Sequence, residues 1–202
     1  TLINDPRCRS ILEAFIAAGA PEEILYLSKP HIGTDLLRET VKTLRQEIIS
    51  HGGEVRFRSR VTDFLIESGQ LTGLVINDQE SLDCRVALLG IGHSARDTFA
   101  TLYERGVTMT PKAFSIGVRI EHPQGLIDHA QYGSAAGTAG LGTADYKLSY
   151  HSPNGRSAYT FCMCPGGFVV PAASGPKQVV VNGMSPSNRG SRWSNSGMVV
   201  EI

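Results

Sequence analysis

The period of the hydrophobic and polar positions changes along the chain, and each change predicts an element. Asp5-Pro6 is a capping residue followed by a first-turn proline, and Ile11, Leu12, Phe15 and Ile16 then recur at helical spacing. Gly19 and Pro21 end that helix, and Cys8 shares its apolar face as a packed thiol. Ile24–Leu27 is expected to be a short strand ahead of a turn at Lys29-Pro30-His31-Ile32-Gly33. Thr34 is then expected to cap a second helix. Leu37, Val41, Leu44 and Ile48 line one side of it, most charges take the other, and Gly52-Gly53 stop it.

A β pattern follows. Val55–Arg58, Arg60–Glu67, Leu71–Ile76 and Leu82–Arg85 read as strands, with turns at Ser68-Gly69-Gln70 and Asn77-Asp78-Gln79. That spacing and turn chemistry predict a small antiparallel meander. Val86-Ala87-Leu88-Leu89 is expected to be a short buried strand leading into Gly90-Ile91-Gly92. Ser94 and Asp97, in a Ser-x-x-Asp pattern, would cap the next helix, which should bury Phe99, Leu102 and Tyr103 and close at Gly106.

After Pro111 the character changes. Ile116, Val118 and Ile120 alternate with Gly117, Arg119 and Glu121, the period of a half-buried strand. Residues 123–130 suit a short helix, and the Gly- and Ala-rich stretch 133–142 reads as a mobile loop. Strands are expected at Tyr146–Tyr150, Ser157–Cys164, Phe168–Ala172 and Gln178–Asn182, and the polar stretch 182–196 as a loop. The fold class is therefore α/β to α+β. Residues 1–110 would hold the helices and the meander, and residues 111–202 a β-rich domain, with the boundary near Val107–Lys112.

Composition narrows the function classes. Formal net charge is zero, and no basic stripe marks a surface for nucleic acid or an anionic membrane. No apolar run approaches the ~20 residues of a membrane span. Four scattered cysteines do not make a secreted disulfide scaffold, so reduced thiols in a cytoplasm are expected. The chain begins with Thr1 and stops in the strand-like run Met198–Ile202. The expectation is an excised piece of a longer protein, with partner strands elsewhere in the same polypeptide.

The strand–glycine–helix junction at 86–99 is the first candidate for chemistry, because unpaired backbone N–H groups at a helix start attract anions. On its own it is weak: Ala95 stands where the third glycine of Gly-x-Gly-x-x-Gly would fall. Cys162 and Cys164 form the sharpest chemical pair. On a regular strand they would share a face, roughly 6.5–7 Å apart, too far for a disulfide without a break in the strand. Packed thiols, a redox pair and, least of all, metal ligands are the readings. Pro165-Gly166-Gly167 is either a plain turn or a place where backbone closely approaches a ligand. Arg119 is either paired with Glu121 or free for an acidic substrate or phosphate. Asn182 opens a polar loop suited to a substrate entrance.

Several stretches together carry a family resemblance. They are Lys29–Asp35, Gly90–Phe99, Gly117–Pro123, Cys162–Gly167 and Asn182–Ser185. In this order they resemble the bacterial uncharacterised FAD-dependent dehydrogenases, within the wider glutathione-reductase-like flavoproteins. The resemblance implies a partial FAD-binding domain (helices plus antiparallel β-meander) followed by a β-rich substrate-side domain. It implies FAD as cofactor, NAD(P)H as a possible electron donor and a small-molecule substrate. By position it assigns Val61, Gly90, Ile91, Gly92, His93 and Ser94 to the adenosine and pyrophosphate side, and Gly166 and Gly167 to the flavin ring. The N-terminal pyrophosphate motif of that class is absent, so the piece alone is expected to be inactive. A non-catalytic binding module and a thiol redox protein using Cys162 and Cys164 are the alternatives.

Overall fold

The computed structural model describes residues 5–202, so Thr1 lies outside the described residues. In chain order the elements are α1 (Pro6–Ala17), α2 (Thr34–Ser50), β1 (Val61–Glu67), β2 (Gln70–Ile76), β3 (Glu80–Asp83) and α3 (Arg96–Glu104). They continue with β4 (Ser115–Pro123), α4 (Gln124–Tyr132), β5 (Ser149–His151), β6 (Ser157–Cys164), β7 (Phe168–Pro171), β8 (Val181–Met184) and β9 (Trp193–Glu201). The chain is thus mixed helix and antiparallel sheet. It divides into two compact units: the chain up to Gly53 with Ala113–Ile202, and Glu54–Lys112. Compactness therefore groups the first two helices with the C-terminal strands.

In the first unit, α1 starts as its sequence predicts: the Asp5 carboxylate accepts the Arg7 backbone N–H at 2.9 Å, with Pro6 at the first position. Ile24–Leu27 is not a strand. The amides of Tyr26 and Leu27 bond back to the Glu23 carbonyl, so the segment closes into a 3₁₀ turn over Glu22–Leu25 that buries Ile24. The cap of α2 is Gly33 at φ 94°, not Thr34. Thr34 is instead tied outward: its backbone N–H and its hydroxyl both donate to the Ser185 carbonyl, at 3.1 and 3.3 Å.

The main sheet of this unit is antiparallel in the order β4-β9-β6-β5, and β7 and β8 form a separate hairpin. The 198–202 run belongs largely to β9, which sits between β4 and β6, so its partner strands lie within this chain and not elsewhere. The 182–196 stretch is not all loop either. Its ends belong to β8 and β9, and Ser194, Asn195 and Ser196 are completely buried. Polar composition reads as loop, but a buried central strand tolerates these side chains where the facing strands supply hydrogen-bond partners. Stretch 133–142 contains a 3₁₀ turn at Gly133–Ala135.

The second unit is the expected meander, in the order β1-β2-β3. Both hairpin turns have two successive residues at positive φ, Ser68 and Gly69 (50° and 77°) and Asn77 and Asp78 (54° and 59°). That is the type I′ geometry matching strand twist. Arg105 clasps Asp63 with two guanidinium bonds and so ties the end of α3 to β1. Three expectations fail here. Val55–Arg58 stays irregular, with Arg56 reaching Glu80 at 3.0 and 2.5 Å. Val86–Leu89 is not a buried strand: Leu88 is 98% exposed, because a strand buried on both faces needs neighbours and this run joins none. Ser94 does not cap α3. Ala95 holds the cap position without a side-chain bond, and of the expected buried face Leu102 is buried while Phe99 and Tyr103 are exposed.

Candidate functional site

In the first unit three of the resemblance-bearing stretches converge, Lys29–Asp35, Cys162–Gly167 and Asn182–Ser185. A cavity of about 420 Å³ is bounded by residues 30–34 with Leu37, by Cys162–Pro165 on β6 and beyond, and by Gly183–Ser185 with Arg189. Its rim includes Pro30, Ile32, Leu37, Met163 and Met184, with His31, Thr34 and Arg189 as polar members. Loop contacts fix these walls. His31 Nε2 lies 3.2 Å from the Pro186 carbonyl, and the Asp35 carboxylate accepts the backbone N–H and the hydroxyl of Ser187, both at 2.7 Å. Those bonds hold the Asp35 carboxyl below its usual range, the Ser187 hydroxyl being the larger cause. The start of α2 is therefore largely satisfied by this chain's own 185–187 loop.

Cys162 and Cys164 do not share a face. Cys162 adopts φ 48°, and the β6–β9 register shifts between Phe161 and Cys164. This bulge turns Cys162 out to solvent and Cys164 into the interior, and both thiols are free. Burial chiefly, with the nearby Cys162, raises the Cys164 pKa; Arg119 opposes the rise without cancelling it. Cys164 is thus held as a thiol and is a poor nucleophile at neutral pH. The strand break that the redox reading required is present, but it separates the two side chains.

Arg119 does not pair with Glu121. It projects from β4 across the sheet, and its Nη1 donates to Asn195 Oδ1 at 2.6 Å and to the Cys162 carbonyl at 3.1 Å, with Cys164 Sγ at 3.8 Å. Gly183 lies against this cluster. A Cβ there would stand 2.6 Å from Cys164 Sγ and overlap both Arg119 and Asn195, so the position demands glycine. The other half of the Asn195 amide differs: Nδ2 is the one buried side-chain nitrogen or oxygen without a hydrogen-bond partner among the described residues. Asn182 is exposed on β8, its Oδ1 accepting the Gly183 N–H at 2.8 Å.

Gly166 and Gly167 are closed off by their own chain. Gly166 has φ 52°, its Cβ would overlap the Arg189 carbonyl, and its N–H donates to Gln124 Oε1 at 2.9 Å. A Cβ on Gly167 would stand 2.5 Å from Ser185 Oγ, which itself donates to the Pro165 carbonyl at 2.8 Å. These glycines let the 162–167 and 183–189 segments touch. The turn and the cavity wall are one construction.

The remaining sequence-assigned residues belong to the second unit. Val61 opens β1 opposite Ile76. Gly90, Ile91, Gly92, His93 and Ser94 lie on an irregular exposed segment, where added Cβ atoms at Gly90 and Gly92 would meet nothing within 4 Å. His93 Nε2 and Ser94 Oγ are 3.4 Å apart.

Sequence reasoning missed a second polar cluster. His122 Nδ1 lies 2.9 Å from Ser194 Oγ, and His122 Nε2 lies 2.7 Å from Tyr146 Oη. The signal is the cross-strand pairing of His122 with Ser194, which no local pattern in either segment announces. Among the described residues no group of three or more His, Cys, Asp or Glu side chains could hold a metal ion, and no helix is long and apolar enough to cross a membrane.

Comparison with known proteins bears on the whole chain and, more specifically, on its C-terminal part. A protein of Clostridium beijerinckii (strain ATCC 51743 / NCIMB 8052), described as an uncharacterized protein, is 48% identical over 203 residues, an alignment that takes in 100% of this chain and 38% of the relative. The chain thus spans well under half the length of the curated relative it matches. Residues 113–202, which supply the main sheet and much of the cavity wall, match the family model described as FAD-dependent protein, C-terminal domain-like.

Proposed function

We propose that this chain is part of an FAD-dependent oxidoreductase of the dehydrogenase kind, and that segments 30–37, 162–167 and 182–189 wall its flavin and substrate pocket. The observation that carries the reading is the match of residues 113–202 to an FAD-dependent model, a stretch that also builds much of the 420 Å³ cavity. The cavity suits a flat ring with a polar edge: its walls are largely apolar, and His31, Thr34 and Arg189 are polar members of its lining. When bound, FAD supplies a ring that takes or gives a hydride. The chain's own residues orient and shield it. Arg119 holds Asn195 Oδ1 and the Cys162 carbonyl and so fixes the cluster behind Gly183 and Cys164 in the wall. Pro30, Ile32 and Met184 exclude water.

The 202 residues contain no Gly-x-Gly-x-x-Gly, so in this reading the remainder of the polypeptide supplies the pyrophosphate cradle. The open backbone at Gly90 and Gly92 would run along the adenosine side, and Val61, His93 and Ser94 follow by position. NADH or NADPH as electron donor, Arg119 and Asn182 toward the substrate, and a cytoplasmic location belong to the same proposal. The test is purification of the longer protein containing this chain. A yellow protein that releases FAD on denaturation is expected, with Met163→Trp, which fills the cavity, losing most of the flavin. A colourless protein that takes up no added FAD would sink the reading.

A further inference from the structure

The other face of the same sheet carries a separate feature. Residues three apart on a strand point to opposite faces, so His122 projects away from the Arg119 cluster. On that side, between α4 and the sheet, lies a cavity of about 370 Å³. Its walls are aliphatic, chiefly Ile120, Ile127, Leu148 and Met198, and one end is formed by His122 and Tyr146. Gln131, which is exposed, and Thr160 also border it, the Thr160 hydroxyl being engaged with the Leu148 backbone at 2.7 and 3.2 Å.

The polar end is a connected string. Ser194, with no exposure at all, lies 2.9 Å from His122 Nδ1 and 3.4 Å from the His122 carbonyl. Tyr146 Oη lies 2.7 Å from His122 Nε2, with the two rings edge-on at 5.5 Å between centroids. The string has two hydrogen arrangements. In one, Ser194 donates to the His122 carbonyl, Nδ1–H donates to Ser194, and the Tyr146 hydroxyl donates to Nε2, leaving an oxygen lone pair toward the cavity. In the other, Ser194 donates to Nδ1, Nε2–H donates to Tyr146, and the Tyr146 hydrogen is free to turn to a ligand. One hydroxyl therefore serves as acceptor or donor without any net charge entering an apolar space. Burial raises the Tyr146 pKa, opposed by a hydrogen bond from Ser196, so the phenol stays protonated at neutral pH.

We propose that this cavity binds a flat, uncharged aromatic molecule of two fused rings bearing a single oxygen, as phenol or ketone, with that oxygen hydrogen-bonded by Tyr146. Size supports two rings: a dry cavity of about 150 Å³ takes one benzene ring, and this one, open to solvent beside exposed Leu148 and Met198, is about two and a half times as large. The lining supports an apolar body, since no charged side chain borders the cavity. The Ser194–His122–Tyr146 string supports one oxygen, of either hydrogen-bonding sense. The proposal does not rest on the flavin reading, which concerns the opposite face.

The test is titration of the protein with 2-naphthol, 1-tetralone and naphthalene, followed by calorimetry. Saturable one-to-one binding is expected, with both oxygenated probes about threefold to tenfold tighter than naphthalene, as one net hydrogen bond provides. Tyr146→Phe should erase that advantage and leave naphthalene unchanged, and Ala130→Trp should abolish all three. Absence of saturable binding would overturn the proposal, as would an oxygen advantage that survives Tyr146→Phe. Should either variant fail to fold, methyl shifts of Ile127 and Leu148 in the unsubstituted protein decide: shifts there on adding 2-naphthol support the site, and shifts confined elsewhere reject it.

Discussion

Two glycine pairs in this chain look alike in sequence and differ completely in structure. Gly166-Gly167 is packed: a methyl group on either would run into Arg189, Met184 or Ser185 of the same chain. Gly90 and Gly92 are open, and a methyl group there would meet nothing within 4 Å. The first pair is therefore explained by folding alone, since it lets two segments of the cavity wall touch. Gly92 is favoured by its own backbone, at φ 70°, but nothing in the chain's packing or backbone demands Gly90. A glycine that a fold does not need is a better candidate for contact with a ligand than one that the fold requires, so the comparison ranks Gly90 above Gly166 and Gly167 as a candidate for cofactor contact.

The largest effect should come from the packed pair. Gly166→Ala places a Cβ against the Arg189 carbonyl at a residue already at φ 52°, so strain and overlap add. A loss of about 3 kcal/mol or more is expected, roughly 6–12 °C in Tm for a chain of this size. A melting temperature unchanged within about 1 °C would show that the wall relaxes freely, and the packed-versus-open distinction would lose its basis.

Arg119→Met comes next. It removes the donor to Asn195 Oδ1 and the Cys162 carbonyl, leaving the fully buried Asn195 amide without any partner on either atom. A buried group stranded in this way costs about 1–3 kcal/mol. Denaturant unfolding should show that loss. The same variant should raise the Cys164 pKa further, because it removes the cation that opposes the rise; faster thiol labelling of folded protein at neutral pH would contradict the geometry.

The comparison also shows what sequence can and cannot reveal. Ser157–Cys164 was legible as a strand because β-branched and aromatic residues recur between turn signals, and the type I′ turns at Ser68-Gly69 and Asn77-Asp78 were legible as hairpins. The site was legible only as separate motifs. What joins them is long-range: Thr34 bonded to Ser185, Asp35 to Ser187, Arg119 to Asn195. The bulge at Cys162 depends on a register shift against β9, which no property of the Cys-Met-Cys segment encodes. Ser194, Asn195 and Ser196 read as loop because their burial is decided by β4 and β6, more than thirty residues away in sequence. Val86–Leu89 failed for the converse reason: its apolar run asks for neighbours that this unit does not place beside it.

A smaller effect is expected at Asp63→Asn in the meander. Arg105 holds the Asp63 carboxyl below its usual range, chiefly by hydrogen bonding, with burial opposing. Since the folded pKa is depressed, the stabilisation is complete above the unfolded value near pH 4 and is lost as pH falls through the lower folded value. The guanidinium is half exposed, so a cost of about 1 kcal/mol at neutral pH is appropriate. The variant should also flatten the acid limb of stability against pH. A difference between the two proteins that persists undiminished at the lowest pH would mean that packing, not the ion pair, is responsible.

The smallest effect on stability should be at Gly90→Ala, and it is the most informative about function. Gly90 is not at positive φ and has open space around it, so alanine costs the fold nothing and restricts the unfolded chain slightly. Unfolding free energy should stay within about 0.5 kcal/mol of the original. If backbone at this position lies along the cofactor, the added methyl group has only the ligand to collide with, and FAD affinity of the longer protein should fall about tenfold, near 1.4 kcal/mol. Unchanged stability with weakened FAD binding assigns the open pair to the ligand. Unchanged stability with unchanged FAD binding removes Gly90 from the proposed site while leaving the 420 Å³ cavity, which rests on different residues, as its remaining support.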